Sequence, residues 1–157
     1  LLAPDAVRDA LSKTALMCDT PHCPECGMLV DDIAALATIF ADVMQTPYIR
    51  LRLDVIHHNA CRKFHRDAVK ARLICTYRGT GTQYGLAANG ADPDQIFTVP
   101  ACAPIILRGK DWPLGTDDAN GANLVHRSPP IEGSGETRLL LEIDPIDDPT
   151  NDTTTLH

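Results

Sequence analysis

The stretch Cys-Arg-Lys-Phe-His-Arg-Asp, residues 61–67, lies between a polar turn at residues 57–59 and an apolar run at residues 71–78. It contains a His-x-Asp pair, His65 and Asp67. Because side chains of an extended segment alternate between its two faces, His65 and Asp67 are expected to point the same way. One imidazole and one carboxylate are then available to a single metal ion.

A second histidine, His126, lies in the later run Val-His-Arg-Ser-Pro-Pro, residues 125–130. Two imidazoles and one carboxylate on one face of an octahedral ion, with open positions opposite, form the ligand set of non-haem iron(II) oxygenases. Taken singly, His65 and Asp67 also fit a surface polar pair, and His126 also fits a half-buried histidine bonded to the backbone. The joint pattern predicts a metal site.

Arg138 follows His126 across a connection rich in proline and glycine. If the two flanking strands pair as a hairpin, His126 and Arg138 fall roughly opposite each other. The guanidinium fork could then hold a carboxylate that lies against the metal, because arginine binds carboxylates through two parallel hydrogen bonds. The alternative is an exposed strand arginine. Arg127 neighbours His126 on the opposite face and is interpreted as structural.

The elements around these motifs predict a mainly β fold. Residues 5–13 are compatible with a helix, residues 19–27 form a loop rich in helix breakers, and residues 29–45 have apolar side chains at helical spacing up to Pro47. Short strands are predicted at residues 48–56, 71–78, 95–99, 103–108, 123–127 and 137–143, with loops at residues 85–94 and 109–121. This order favours a double-stranded β-helix of the jelly-roll or cupin-like kind, with the N-terminal helices packed on the sheet.

The chain has 157 residues and a formal net charge of −7. We expect one domain at residues 1–144, with a helical cover at 1–46 and a barrel at 47–144, followed by an acidic flexible tail at 145–157. Acidic chains bind polyanions poorly, so no nucleic-acid partner is expected. No apolar run is long enough for a membrane span. The oligomeric state is not visible in the sequence.

Six cysteines are spaced irregularly, and two of them lie in apolar, strand-like runs. This favours thiols without disulfide bonds and a cytoplasmic protein, although a removed segment before Leu1 is left open. Four nearby side chains, Cys18, His22, Cys23 and Cys26, resemble half of a zinc knuckle. A loop of reduced thiols is the preferred interpretation, and a second zinc site is the alternative.

The order His-x-Asp, distant His and following Arg resembles the 2-oxoglutarate and iron(II)-dependent dioxygenases over about residues 47–144. The resemblance implies that His65, Asp67 and His126 bind iron(II) and that Arg138 holds the far carboxylate of 2-oxoglutarate. Tyr77, which shares the parity of the ligands if the extended run is unbroken, is implied as a second contact to that carboxylate. The alternative for Tyr77 is a core tyrosine.

The runs at residues 61–67, 75–82, 107–113 and 125–130, followed by Arg138, also resemble an uncharacterised bacterial family. That family is a domain of unknown function that is often found beside zinc-homeostasis genes.

Three hypotheses about function follow. The first is an iron(II) and 2-oxoglutarate-dependent oxygenase that hydroxylates a small molecule or a protein side chain. The second is a non-catalytic zinc-binding or zinc-homeostasis protein on a degenerate cupin-like barrel. The third is a cupin-type hydrolase or isomerase that uses the same ligands. The loops at residues 85–94 and 109–121 would line the mouth of the barrel, with Trp112 as a wall.

Overall fold

The computed structural model describes residues 1–21, 23–87, 91–113, 123–148 and 150. Within these ranges, two α-helices precede seven strands, and a 3-10 turn at Pro4–Ala6 leads into the first helix. The elements are α1 (Val7–Met17), α2 (Pro24–Met44), β1 (Tyr48–Ile56), β2 (Ala71–Arg78), β3 (Gln83–Ala87), β4 (Phe97–Thr98), β5 (Pro104–Arg108), β6 (Asn123–Arg127) and β7 (Arg138–Ile146). The mainly β prediction with N-terminal helices is confirmed.

The chain forms two compact units, one of Leu1–Leu51 with Pro145–His157 and one of Arg52–Asp144. In the first unit, one face of α2 is buried, and its members are Ile33, Ala34, Ala37, Phe40 and Ala41. The division into a cover at residues 1–46 and a barrel at 47–144 stays a prediction, as does the packing of the helices on the sheet. None of the described helices is long and apolar enough to cross a membrane.

Helix α2 begins at Pro24, so the prediction of a loop over residues 19–27 is wrong for its last four residues. Cys23 is the N-cap, and its sulfur accepts a hydrogen bond from the backbone N–H of Cys26 at 3.4 Å. Pro24 occupies the first helical position, where its missing N–H costs nothing. The proline that looked like a helix breaker therefore starts the helix.

The strands form two sheets, with the orders β1-β7-β2-β5 and β4-β3-β6. Strand β3 lies partly where a loop was predicted at residues 85–94. It pairs antiparallel with both β4 and β6. Gly85 interrupts its apolar pattern for a packing reason, because a Cβ there would lie 2.4 Å from the backbone oxygen of Gln95.

Strands β6 and β7 do not form the hairpin that was expected. β6 pairs with β3, and β7 pairs with β2 in the other sheet. Pro129 and Pro130 follow β6 after one residue, Ser128, and prolines have no N–H to continue a ladder. The chain therefore crosses from one sheet to the other between His126 and Arg138.

The two sheets share an apolar core. Leu124 of β6 packs against a buried cluster contributed mainly by the four-stranded sheet, namely Ile56, Ile74, Leu107, Ile131 and Leu140. Fully burying each aliphatic side chain of this size stabilises the fold by about 1.5–3 kcal/mol. Strand β7 also runs past residue 143, where it was predicted to end, so the first two residues of the predicted tail belong to a strand. Residues 149 and 151–157 of that tail lie outside the described residues.

Candidate metal centre

His65 and His126 are brought together by a single antiparallel bridge. Each donates its backbone N–H to the carbonyl oxygen of the other, and both distances are 3.0 Å. Directly paired residues project their side chains on the same face, and the two imidazole centroids are 4.6 Å apart. His65 Nδ1 lies 2.8 Å from the carbonyl oxygen of Lys63. Since a carbonyl only accepts, Nδ1 carries the proton and Nε2 presents its lone pair.

Asp67 completes the group. Its Oδ1 lies 3.5 Å from His65 Nε2, and its Oδ2 lies 3.2 Å from His126 Nε2. One ligand atom from each of the three residues lies within 4.8 Å of the other two. Asp67 Oδ2 is fully buried and makes no hydrogen bond within the described chain, since its close approach to His126 lacks hydrogen-bond alignment. A buried carboxylate oxygen without a partner, beside two imidazoles, fits a divalent cation.

The charges in this group are strongly coupled. Burial raises the pKa of Asp67, but the close approach of the His126 and His65 imidazoles and the charge of Arg72 together lower it well below its usual range. The hydrogen bond to Asp67 raises the pKa of His65, against a smaller lowering by burial. The site is therefore preorganised as an anion that attracts either protons or a cation.

Arg72, which the sequence analysis did not single out, lies against Asp67. Its Nη1 donates to Asp67 Oδ1 at 3.1 Å. The same guanidinium binds both carboxylate oxygens of Asp144, with Nε to Oδ1 at 2.6 Å and Nη2 to Oδ2 at 2.8 Å. Glu142 Oε1 lies 3.7 Å from Arg72 Nη1, and Arg52 pairs with Glu142. The signal in the sequence was a set of charged residues at alternate positions within apolar strands.

The pKa values of Arg72 and Glu142 in this network are both raised above their usual values. Burial lowers the pKa of Arg72, but the hydrogen bond and charge of Asp144 more than compensate and raise it above its usual range. Burial raises the pKa of Glu142. Arg72 is thus a permanent cation beside the candidate metal ligand.

The backbone of the ligand segment is held by the turn after β5. Lys110 donates its N–H to the Asp67 carbonyl at 2.8 Å, and Gly109 donates to the Lys70 carbonyl at 2.8 Å. A Cβ on Gly109 would lie 1.8 Å from the Val69 carbonyl oxygen. Only glycine fits there, which makes Gly109 a further residue on which the site depends and which the sequence analysis missed.

Arg138 is fully buried, at 0% exposure, and is not the exposed strand arginine of the alternative interpretation. Its Nε donates to the Thr80 carbonyl at 2.7 Å, and its Nη2 donates to Thr76 Oγ1 at 3.2 Å and lies 3.5 Å from Thr82 Oγ1. Its Nη1 is buried and has no hydrogen-bond partner within the described residues. Burial lowers the pKa of Arg138, although the charge of Glu136 opposes this.

The Arg138 guanidinium contacts Thr82, the residue that directly precedes β3. Two residues further along the chain, Tyr84 is paired directly with His126 across β3 and β6. Tyr84 also stacks on Phe97, with ring centroids 5.5 Å apart. Tyr84 is a residue beside the site that the sequence analysis missed.

Tyr77 does not meet the condition on which its predicted role rested. Bends at residues 68–70 break the extended run between Asp67 and β2. The pairing of β2 with β7 is also irregular between Thr76 and Arg78. The contact of Tyr77 with a cosubstrate stays a prediction.

Two other residues were assigned roles from the sequence. Arg127 bonds Gln83 Oε1 at 2.8 Å and lies 4.5 Å above the Phe64 ring, away from the metal ligands, which agrees with a structural role. Trp112 lies under the Arg108 guanidinium at 4.8 Å. Its role as a wall of the barrel mouth stays a prediction, and most of the loop at 109–121 lies outside the described residues.

The cysteine-rich segment forms no comparable group. Within the described residues, the candidate group of three or more metal-ligating side chains is His65, Asp67 and His126. His22 lies outside those residues, so a zinc site with Cys18, Cys23 and Cys26 stays a prediction. None of the six cysteines forms a disulfide bond, as the sequence predicts.

Comparison with solved structures finds weak likenesses. One is a crystal structure of FeII HppE, with 10% sequence identity and a TM-score of 0.39, where 62% of this chain matches 43% of that chain. The chain therefore spans less than half the length of that protein. Another is a prolyl-4-hydroxylase (P4H) from Pseudomonas putida, with 14% identity and a TM-score of 0.44, where 94% of this chain matches 84% of that chain.

No curated protein matches the sequence. A family profile does match, over residues 2–144, which is nearly the whole chain. The chain belongs to the family described as protein of unknown function (DUF1826).

Proposed function

We propose that the protein is a non-haem iron(II) and 2-oxoglutarate-dependent oxygenase that hydroxylates a C–H bond. The observation that carries the proposal is Arg138, a fully buried guanidinium with an unpartnered nitrogen, which contacts Thr82 two residues before the partner of His126. A buried guanidinium nitrogen without a hydrogen-bond partner is costly unless an acceptor joins it. A short dicarboxylic acid bound to the metal would bring that anion.

The metal half of the proposal rests on the ligand set. His65 and His126 would each donate through Nε2, and Asp67 would donate through Oδ2, the buried oxygen without a partner. Two imidazoles and one carboxylate leave positions open on an octahedral ion, and this arrangement suits iron(II). When bound, iron(II) with 2-oxoglutarate supplies the activation of molecular oxygen for the hydroxylation.

The cosubstrate half rests on a contrast between two arginines. The Arg72 fork is already occupied by Asp144 and Asp67. Arg138 is bound only by neutral groups of Thr76, Thr80 and Thr82. Arg138 is therefore the buried arginine with capacity to receive a carboxylate, and its threonine partners fix the orientation of the fork.

The protein contributes orientation and shielding. The bridge between His65 and His126 fixes two ligands on one face, and the bonds from Lys110 and Gly109 fix the Asp67 segment. The apolar cluster around Ile74 and Leu140 keeps water from the interior of the sheets. Holding metal and cosubstrate in a fixed, dry site is the share of catalysis that falls to the protein in such enzymes.

We also propose that the barrel is a double-stranded β-helix. The support is the order in which the chain visits the two sheets. β1 lies in the four-stranded sheet, the His65 bridge joins the other, β2 returns to the first, and β3 and β4 lie in the second. β5, β6 and β7 then alternate between them. With the bridging segment counted as a strand, eight segments wind in the manner of a jelly roll.

The substrate is a small molecule or a protein side chain that approaches the open positions of the metal. Tyr84 and Phe97 are the aromatic candidates for contact with it, because Tyr84 is paired with His126 and stacks on Phe97. A cytoplasmic location forms part of the proposal, since the six cysteines form no disulfide bonds.

A non-catalytic zinc protein is the second candidate, because two imidazoles and a carboxylate also bind zinc. It gives no role to the unpartnered nitrogen of Arg138.

The test is to prepare the protein without affinity-metal columns, measure its metal content, and titrate 2-oxoglutarate into the anaerobic iron(II) form. A visible charge-transfer band that saturates with 2-oxoglutarate supports the oxygenase. Stoichiometric zinc with no 2-oxoglutarate binding supports the zinc protein and contradicts our proposal.

A further inference from the structure

The two oxygens of the Asp67 carboxylate have different surroundings. Oδ1 accepts a hydrogen bond from Arg72 Nη1 at 3.1 Å. Oδ2 is buried, makes no hydrogen bond within the described residues, and lies 3.2 Å from His126 Nε2. One oxygen is thus held by a cation, whereas the other is left for a ligand.

We propose that Arg72 is a positioning residue of the metal centre, which restricts Asp67 to coordination through Oδ2 alone and favours a divalent over a trivalent ion. This inference rests on the proposed function, since it assumes that the His65, Asp67 and His126 group binds a metal.

The restriction to one oxygen follows from the geometry of the guanidinium. For Asp67 to bind through both oxygens, Oδ1 would have to turn toward the metal and give up its bond to Arg72. Arg72 cannot follow, because Asp144 holds its Nε and Nη2 through both carboxylate oxygens at 2.6 and 2.8 Å. Asp144 is itself buried, with 3% exposure, so this anchor is fixed. Coordination through Oδ2 alone keeps one more position of the ion open for other ligands.

The preference for the divalent ion follows from charge. Arg72 is a permanent cation, because a guanidinium does not lose its proton in proteins. Oxidation of a bound divalent ion adds a positive charge close to this guanidinium, and like charges repel strongly in a partly buried site. Arg72 also draws electron density from the Asp67 carboxylate, which lowers its capacity to stabilise a trivalent ion.

Arg52 provides a matched control. It belongs to the same network, where it pairs with Glu142, and no contact between it and Asp67 is found among the described residues. A change at Arg52 disturbs the network without altering the partner of Asp67 Oδ1. If Arg72 only stabilised the fold, Arg52→Lys would affect metal binding in the same way as Arg72→Lys.

The experiment compares wild type, Arg72→Lys and Arg52→Lys with cobalt(II), which is stable in air and has visible bands that depend on coordination number. Lysine keeps the positive charge but lacks the fork, so it stays with Asp144 and releases Asp67. We expect Arg72→Lys to bind cobalt(II) about ten- to a hundredfold more weakly and to change the visible spectrum. In the iron form, we expect a lower midpoint potential. Arg52→Lys should match the wild type in all three measurements.

The inference is overturned if Arg72→Lys matches the wild type in affinity and spectrum, or if Arg52→Lys changes them equally. Should Arg72→Lys fail to fold, Asp144→Asn is the second variant. It weakens the bond that holds Arg72 in place, so it is also expected to change the visible cobalt(II) spectrum. Cobalt binding needs no 2-oxoglutarate, so the outcome is independent of cosubstrate binding. A wild type that binds no metal would overturn the proposed function as well, whereas an unchanged Arg72→Lys overturns this inference alone.

Discussion

Two arginines on neighbouring strands, the partly buried Arg72 and the fully buried Arg138, have different electrostatic surroundings. Arg72 on β2 is enclosed by carboxylates, with a bidentate bond to Asp144 and a further bond to Asp67. Arg138 on β7 is fully buried among threonine oxygens and keeps one nitrogen without a hydrogen-bond partner within the described chain. The first cation is bonded directly to carboxylates, whereas the direct hydrogen-bond partners of the second are neutral oxygens.

This difference distinguishes an arginine that holds other side chains in place from an arginine that is able to bind a ligand. An ion pair with both members inside the protein needs no external partner, because each charge stabilises the other. A buried guanidinium nitrogen without a hydrogen-bond partner has capacity for a further acceptor. Under our proposal, the Arg72 network supports the metal ligands, and Arg138 receives the carboxylate of 2-oxoglutarate.

The largest expected effect is the loss of metal binding when one of the three metal ligands is replaced. His65→Ala, Asp67→Ala and His126→Ala should each abolish stoichiometric metal binding, because two remaining protein ligands are too few to hold the ion. Arg138→Ala should bind metal as the wild type does. Metal content after dialysis, measured by plasma emission, tests this. Retention of one equivalent at wild-type affinity in the Asp67 variant would place the site elsewhere, with the Cys18–Cys26 segment as the first candidate.

The same substitution at both arginines tests their different surroundings. Arg72→Met leaves the buried Asp144 and the partly buried Asp67 without the cation that binds them, and breaking a buried pair in this way costs about 3–5 kcal/mol of the free energy of unfolding. Arg138→Met leaves no carboxylate without its bonded partner, so its cost should be clearly smaller. Urea denaturation of both metal-free variants measures the difference. Equal costs would mean that Arg138 has a counter-charge within the protein, which contradicts the comparison.

The smallest expected effect is the change in stability of the metal-free protein with pH. The pKa of His65 is raised above 6.5, so its contribution to the stability of the metal-free protein is complete below 6.5 and is lost as pH rises through the raised value. The pKa of Asp67 is lowered from 3.8, so its contribution is present above 3.8 and is lost as pH falls. The metal-free protein should therefore lose stability on both sides of this window.

Metal must displace the proton from His65. Its affinity should then rise by up to about tenfold per pH unit until His65 is deprotonated. Cobalt(II) titrations between about pH 5 and pH 8 cover that range. For the metal-free protein, His65→Gln should flatten the loss of stability above 6.5. A metal affinity that is independent of pH would show that His65 is not a ligand.

Much of the architecture could be predicted from local patterns. The strict alternation of residues 48–56 and the apolar run at 71–78 match β1 and β2 over their full lengths. Strand β3 was missed because it is short and contains Gly85, whose role depends on the approach of Gln95 from a distant segment. The start of α2 was missed because Pro24 disrupts helix interiors but suits a first turn.

The group His65, Asp67 and His126 could be predicted because its spacing follows local rules of strand alternation. Its support could not, since Arg72, Asp144 and Gly109 act through contacts between segments far apart in the chain. Arg138 was predicted to lie opposite His126 in a hairpin, but it lies in the other sheet, because the chain changes sheets after Pro129 and Pro130. Its role as the receptor of a carboxylate stays a prediction.

The most direct test of the central claim is the binding of 2-oxoglutarate to the anaerobic iron(II) protein, measured by calorimetry for wild type and Arg138→Ala. A hydrogen bond to a charged group contributes about 1.5–3 kcal/mol, so loss of Arg138 should weaken binding by about ten- to a hundredfold. The affinity for iron(II) should stay unchanged. Absence of 2-oxoglutarate binding in the wild type, or equal affinity in both proteins, would contradict the assignment of Arg138 as the receptor of an external carboxylate.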